Sequence, residues 1–157
     1  MAATTPFDIR VDDLSGTAVR ALLGYHLRQM QADSPPGSVY ALDLSGLEDP
    51  RVTVWSAWRE GALASVGALK MLDARNGELK SMRTHPDQLR RGSAAALLDH
   101  IIGEARRRGL HRLSLETGSG MAFEPALALY RKRGFRNGDA FGGYAASAFN
   151  QFLHLAL

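Results

Sequence analysis

Gly77-Glu-Leu-Lys-Ser-Met-Arg-Thr-His-Pro-Asp-Gln-Leu-Arg-Arg-Gly-Ser-Ala-Ala-Ala-Leu-Leu98 has the pattern of a strand, a tight loop and a helix in direct succession. Glu78–Thr84 has strand character. Pro86 stops it, because proline has no ladder N–H and restricts the residue before it. Ala94, Leu97, Leu98, Ile101, Ile102 and Ala105 then recur at helical spacing, which predicts a helix over Arg91–Arg108 with one apolar face. At the join stand Arg90, Arg91, Gly92, Ser93 and Ala94. Small residues let a ligand approach the backbone, and the first helical turn offers unpaired N–H groups at the positive end of the dipole. With two arginines beside it, this junction is suited to a phosphate or pyrophosphate. No Gly-Lys-Ser/Thr follows, and the three-glycine dinucleotide spacing is absent, so neither of those phosphate loops is present.

Outward from this stretch, the chain divides into segments of clear period. Phe7–Val11 is expected as a short strand, with Asp12, Asp13 and Ser15 as candidate caps for a helix running through about Gln31. His26 on its apolar stripe is expected at the edge of the surface. Asp33–Gly37 is a loop rich in breakers, and Ser38–Pro50 reads mostly as loop. Arg51–Arg59 and Ala62–Leu72 form an expected hairpin around Glu60-Gly61, and Asn76-Gly77 turns into Glu78–Thr84. Trp55 and Trp58, three apart in a strand, should face opposite sides. Gly109 is a helix stop, His111–Glu116 a strand, and Glu124-Pro125 the start of a short helix with Ala126, Leu129 and Tyr130 on one face. Phe141–Tyr144 and Phe149–Leu155 are expected as the final strands.

The 157 residues suffice for one domain with a full core, expected over 1–157. There is no cysteine, which excludes disulfides, thiolate metal sites and cysteine nucleophiles, and no metal site is expected. No apolar run is long enough to span a membrane, and Met1–Pro6 has no signal-peptide character, so a cytoplasmic protein is expected. The net charge of +3 hides an asymmetry: residues 1–78 hold seven Lys/Arg against ten Asp/Glu, residues 79–157 twelve against six. The basic half contains the anion-site junction and favours a polyanionic ligand. Nucleic acid is the rival explanation, through Arg106-Arg107-Arg108 and Arg131-Lys132-Arg133. Both clusters end expected helices, where cations complement the dipole, so no nucleic-acid partner is expected.

This order of elements resembles the GNAT superfamily of acyl-CoA-dependent N-acyltransferases. The resemblance rests on the junction at Arg90–Ala94 and on Leu129-Tyr-Arg-Lys-Arg-Gly-Phe135. Gly92 and Ala94 match the last two fixed positions of that family's Gln/Arg-x-x-Gly-x-Gly/Ala signature, whereas Leu89 stands at the first. Phe123 stands where many members carry Asn, seven residues before the tyrosine. Gly67-Ala-Leu-Lys70 and Glu116-Thr-Gly118 are similar to a poorly characterised bacterial subgroup.

The resemblance implies an α/β (α+β) fold: a mixed central sheet with antiparallel N-terminal strands and a splayed parallel pair, flanked by helices. It implies acetyl-CoA as cosubstrate and the primary amine of a small molecule or peptide as acceptor. By resemblance, backbone groups of Met82, Arg83 and Thr84 pair with the pantetheine arm. The backbone from Leu89, Arg90 and Arg91 through Gly92 and Ser93 to Ala94 and Ala95 holds the pyrophosphate. Tyr130 is the implied acid, the Met82 N–H the donor to the thioester oxygen, and Glu78, fourteen residues before Gly92, the base. Glu116 and His85 are alternative bases. A homodimer is also expected. The competing readings are a non-catalytic acyl-CoA-binding module and a basic nucleic-acid binder.

Overall fold

A computed structural model describes residues 6–157. Nearly all of Met1–Pro6, read above for a signal segment, therefore lies outside the described residues. Three strands, β2 (Val52–Arg59), β3 (Ala62–Met71) and β4 (Asn76–Thr84), follow one another as an antiparallel meander, and β1 (Asp8–Val11) pairs with β2 at the edge. The β2–β3 turn sets Glu60 at φ 51° and Gly61 at φ 78°. Two left-handed residues make the turn whose twist matches that of the strands. The β3–β4 turn is closed by Asp73, whose carboxylate accepts the backbone N–H groups of Arg75 and Asn76 at 2.8 Å each.

A bulge in β4 decides what the sheet presents. Val66 pairs with Arg83 but Ala68 with Lys80, so Ser81 and Met82 together oppose the single residue Gly67, and Ser81 sits at φ 57°. The extra residue reverses the alternation of side chains. Arg83, three positions beyond Lys80, thereby comes to the same face as Lys80 and Glu78. A Cβ on Gly67 would run into the Met82 sulfur and the Ile101 side chain, so glycine gives Met82 its room.

After β4 the chain crosses through α3 (Ser93–Arg107) to β5 (Arg112–Thr117), which is parallel to β4. The two strands pair only at their starts, Asn76–Glu78 against Arg112–Ser114. Beyond Glu78 they part, and a cleft opens between them. The sheet continues through β7 (Gln151–Ala156) to β6 (Arg136–Asn137), giving the order β1-β2-β3-β4-β5-β7-β6. This is the mixed sheet with a splayed parallel pair expected above.

Two helical layers cover the sheet. α3 and α4 (Glu124–Lys132) bury Leu97, Leu98, Ile101, Leu127 and Tyr130 against Leu69, Leu79, Leu113 and Leu153. α1 (Thr17–Asp33) and α2 (Leu44–Leu47) bury Val19, Leu22, Leu23 and Leu47 against Val54, Val66 and Ala68 on the other face. Trp55 packs in the first layer and Trp58 borders the second, on opposite faces as their spacing requires. Gly109, at φ 78°, ends α3: its N–H reaches the Arg106 carbonyl and the Leu110 N–H the Ala105 carbonyl.

Four local expectations are corrected. The cap of α1 is Gly16, with no side-chain bond, because Asp12 and Asp13 are engaged in turns, accepting from the N–H groups of Leu14 and Ser15. His26 is buried rather than marginal. Ser38–Pro50 contains α2, capped by Asp43 accepting from the Gly46 N–H at 2.9 Å. Phe141–Tyr144 is a turn and not a strand: Gly142 and Gly143 both adopt positive φ, and the Tyr144 N–H closes onto the Phe141 carbonyl at 3.0 Å. The strand preceding β7 is Arg136–Asn137 instead. The basic clusters end α3 and α4, where Arg107 and Arg108 pair with Glu104 and Arg133 with Asp99. Among the described residues no helix is long and apolar enough to cross a membrane.

Candidate active site

The cleft left by the parting of β4 and β5 runs through the sheet. Its deeper part is lined from β4 by Glu78, Lys80, Met82 and Arg83, from β5 by Glu116, from α1 by His26 and from α4 by Tyr130. Its outer part is lined by Ser65, Thr84, Leu89, Arg90 and Ala94. Met82, Arg83, Ala126 and Tyr130 line both parts, so the two communicate.

The outer part ends on the N-terminus of α3. Gly92 caps that helix at φ 87°, and the position a Cβ would take there meets nothing within 4 Å. The left-handed residue turns the loop into the helix and leaves its first N–H groups uncovered. Arg90 and Arg91 form no ion pair among the described residues, and Ser65 Oγ is buried without a partner where it lines the cleft. Open donors, the unpaired Arg90 guanidinium and an unsatisfied hydroxyl fit an elongated polar ligand with a pyrophosphate at its outer end, and Arg91 adjoins this lining in sequence without being part of it. Ser93, at the start of α3, has a buried side chain whose hydroxyl has no partner among the described residues. If this junction holds the pyrophosphate of CoA, as the resemblance implies, Arg91→Glu should weaken CoA binding roughly tenfold, by about 1.4 kcal/mol, because repulsion would replace a charge-assisted contact. Calorimetry on the folded variant tests this, and unchanged affinity would remove Arg91 from the site.

In the deeper part, Glu78 is buried, and one of its carboxylate oxygens is held by two neighbours. Lys80 Nζ donates to Glu78 Oε2 at 3.1 Å and to Tyr144 Oη at 2.7 Å, and Tyr144 Oη donates to the same Glu78 oxygen. Tyr144 stands on the turn after β6, with its ring edge-on to Tyr40 and to Phe141. Burial pushes its phenol well above the usual range, reinforced by the Glu78 charge. Across the gap Glu116 has no ion-pair partner among the described residues. Burial raises its carboxyl to about 7, with Lys80 pulling it down and Glu78 pushing it further up.

Tyr130 lies almost wholly inside the first core layer, with the Phe135 ring at 5.8 Å. Burial pushes its phenol up to about 12, only partly offset by Arg83, so the hydroxyl keeps its proton at neutral pH. Arg83 is half-buried and donates from Nε to His26 Nδ1 at 3.0 Å. Burial, with the Arg83 charge added, lowers His26 to about 3, so the imidazole is a neutral acceptor.

The structure thus brings together Glu78, Met82, Arg83 and Tyr130 in one part of the cleft, and Thr84, Leu89, Arg90 and Ala94 in the other. Gly92, Ser93 and Ala95 follow at the helix start. His85 is excluded from the cleft: it caps the 3-10 turn Pro86–Gln88, accepting from the Asp87 N–H at 3.1 Å, and faces α1 on the far side of that turn. Tyr144 and the His26–Arg83 pair were not singled out from sequence. Tyr144 lies in a segment misread as a strand, and no local pattern links Arg83 to a histidine 57 positions away.

The model of the Acetyltransferase (GNAT) family matches residues 19–135. The chain is 49% identical over 151 residues to the uncharacterized N-acetyltransferase YedL of Escherichia coli strain K12, covering 96% of this chain and 95% of that protein. It is also 49% identical over 145 residues to the uncharacterized N-acetyltransferase YsnE of Bacillus subtilis strain 168, covering 92% and 96%. A GNAT family acetyltransferase from Elizabethkingia anophelis, solved with acetyl-CoA bound, shares the fold at TM-score 0.69 and 16% identity, covering 98% of this chain and 100% of that one.

Proposed function

The chain belongs to the GNAT family of acetyltransferases, and we propose on that premise that it is an N-acetyltransferase. In this reading one domain over 1–157 transfers an acetyl group from acetyl-CoA to a primary amine of a small molecule or peptide, by direct attack. The observation that carries it is the pairing of two proton carriers across one cleft: a neutral phenol, Tyr130, and a carboxylate poised near neutrality, Glu116.

Acetyl-CoA supplies the electrophile, a thioester carbonyl. This chain's residues supply the rest. Arg90, Arg91 and the backbone from Leu89 to Ala95 hold the pyrophosphate, with Gly92 admitting it closely. The backbone groups of Met82, Arg83 and Thr84, not their side chains, pair with the pantetheine arm, and the Met82 N–H is the donor for charge on the thioester oxygen. Glu116 takes the proton that the amine nitrogen releases as it bonds to the acetyl carbon. The Tyr130 hydroxyl gives its proton to the departing sulfur and regains one from solvent, while Glu116 releases its proton to solvent, so the protons balance and both groups are reset. Glu78 acts through its neighbours: tied to Lys80 and Tyr144, it repels negative charge on Glu116 and keeps that carboxyl basic. A homodimer and a cytoplasmic location complete the reading, tested by sedimentation and by cell fractionation.

The experiment is a screen of CoA release from acetyl-CoA against amino acids, polyamines, aminoglycosides and peptides. Release with a defined acceptor is expected, with mass spectrometry showing one added acetyl group. CoA binding with no release in the presence of any amine would leave only the binding module. The cradle has its own test in Gly92→Val. A β-branched residue at φ 87° is strained by about 1–2 kcal/mol, and its side chain stands where the phosphates approach. The variant should melt cooperatively at a lower temperature and lose more CoA affinity than Arg91→Ala. Normal CoA binding by this variant would move the cradle elsewhere.

A further inference from the structure

The charges in the deeper cleft do not cancel in place. Lys80 and Glu78 neutralise each other within the ion pair capped by Tyr144. Three charged groups of the lining are left outside that pair: Glu116 and the exposed Asp33 are negative, and Arg83 is positive. Glu116, from β5, has no ion-pair partner among the described residues. Neither has Arg83, from β4. Both line the same cleft, and the β4 bulge is what turns Arg83 toward it.

Arg83 is also held in a particular way. Its Nε is tied to neutral His26, its guanidinium lies 5.8 Å from the Tyr25 ring centroid, and it is half-buried. Asp33 lines the cleft as well, but acts on Arg83 only through space, outside ion-pair distance. A buried cation without a bonded anion is costly, and a guanidinium fixed at Nε keeps its two terminal nitrogens as a fork that matches a carboxylate. Histidine serves this purpose better than an acid would, because it orients the arginine without consuming its charge.

We propose that the acceptor is an amino acid, a primary amine that also carries a carboxylate, bound with that carboxylate on the terminal nitrogens of Arg83 and its amine toward Glu116. The inference rests on the acetyl-transfer reading and specifies the acceptor of the same site. The pyrophosphate is not the anion that Arg83 awaits: Arg83 lines both parts of the cleft, but His26 holds its guanidinium on the α1 side, whereas Arg90 and the α3 N-terminus belong to the outer part alone.

The test compares matched acceptors on the wild-type protein: each L-amino acid, its carboxamide and its decarboxylated amine, for example L-phenylalanine, L-phenylalaninamide and phenethylamine. The amino acid of the best series should exceed both analogues by at least about tenfold in kcat/KM, mainly through KM. Arg83→Gln should abolish that preference while CoA affinity stays within about twofold. Equal turnover of amide or amine, turnover confined to polyamines or aminoglycosides, or loss of CoA affinity in Arg83→Gln would each overturn the proposal while leaving acetyl transfer intact. If no amine at all is acetylated, the acetyl-transfer reading fails, and the carboxylate site is then read alone. Calorimetry of 3-phenylpropionate with the CoA complex should show binding that Arg83→Gln removes, and absence of binding to the wild type would overturn it.

Discussion

Tyr130→Phe is expected to lower kcat by about 10²-fold or more while CoA affinity stays nearly unchanged. The substitution keeps the ring, which packs near Phe135 in the core, and removes only the hydroxyl. That hydroxyl has no hydrogen-bond partner among the described residues, so its loss leaves no protein group unsatisfied and the melting temperature should move little. Its interaction with sulfur matters only as the carbon–sulfur bond breaks, which places the loss in kcat. The measurement is turnover with an acceptor found in the release screen, beside calorimetry and thermal melting of the same variant. Wild-type kcat, under conditions where chemistry limits the rate, would return Tyr130 to the role of a core tyrosine and leave solvent to protonate the thiolate.

Glu116→Gln should have an effect of similar size on turnover and an opposite one on stability. In the wild type, kcat/KM should rise as pH passes about 7, where the buried carboxyl loses its proton. The variant should lose that limb and fall by about 10²-fold at pH 8, keeping only the titration of the amine itself. The stability argument follows from the same shift. The folded state holds the Glu116 proton up to about 7, whereas the unfolded chain releases it near 4.5. Between those values the folded state binds more protons, so this residue's contribution is fully present below 4.5 and is lost as pH rises through 7. Discounted for partial exposure, the loss is about 1–2 kcal/mol. Glutamine cannot ionise, so the variant should be more stable than the wild type at pH 8 and little changed at pH 4. Equal pH profiles for both proteins would transfer the base role away from Glu116, leaving Glu78 and the exposed Asp33 as the other carboxylates in the cleft.

Much of the frame was legible locally because its signals are local. Glu60-Gly61 announces a turn through the conformations it permits, whereas Asn76-Gly77, expected as a turn, already pairs as the start of β4, and Asp73 closes the turn just before it. The spacing of Leu97, Leu98, Ile101 and Ile102 announces a helix face. Gly92 followed by Ser93 and Ala94 announces an open helix start beside two arginines. The C-terminal segment was harder. Phe141-Gly-Gly-Tyr144 has aromatic residues with strand propensity, but the paired glycines fold it into a turn that carries Tyr144 over Lys80 and Glu78. The short strand that pairs with β7, Arg136–Asn137, has no propensity signal of its own and exists because β7 offers it partners.

The sequence by itself determined the order of elements, the loop-to-helix junction at Arg90–Ala94 and the presence of a tyrosine at the right distance along α4. Those properties depend on neighbours in the chain, through turn conformation, capping and side-chain period. Only the tertiary structure decided which carboxylate is free. Glu78 and Glu116 look equivalent as strand residues, yet Lys80 and Tyr144 occupy the first, and burial without a bonded partner raises the second. It also decided the direction of Arg83. Strict alternation would send Arg83 to the face opposite Lys80, and the one-residue bulge at Ser81–Met82, accommodated by Gly67 on the adjacent strand, turns it to the α1 side where His26 holds it. A bulge is a property of two strands in register, so the residue that forms it and the residue that permits it acquire their meaning only when the sheet is assembled.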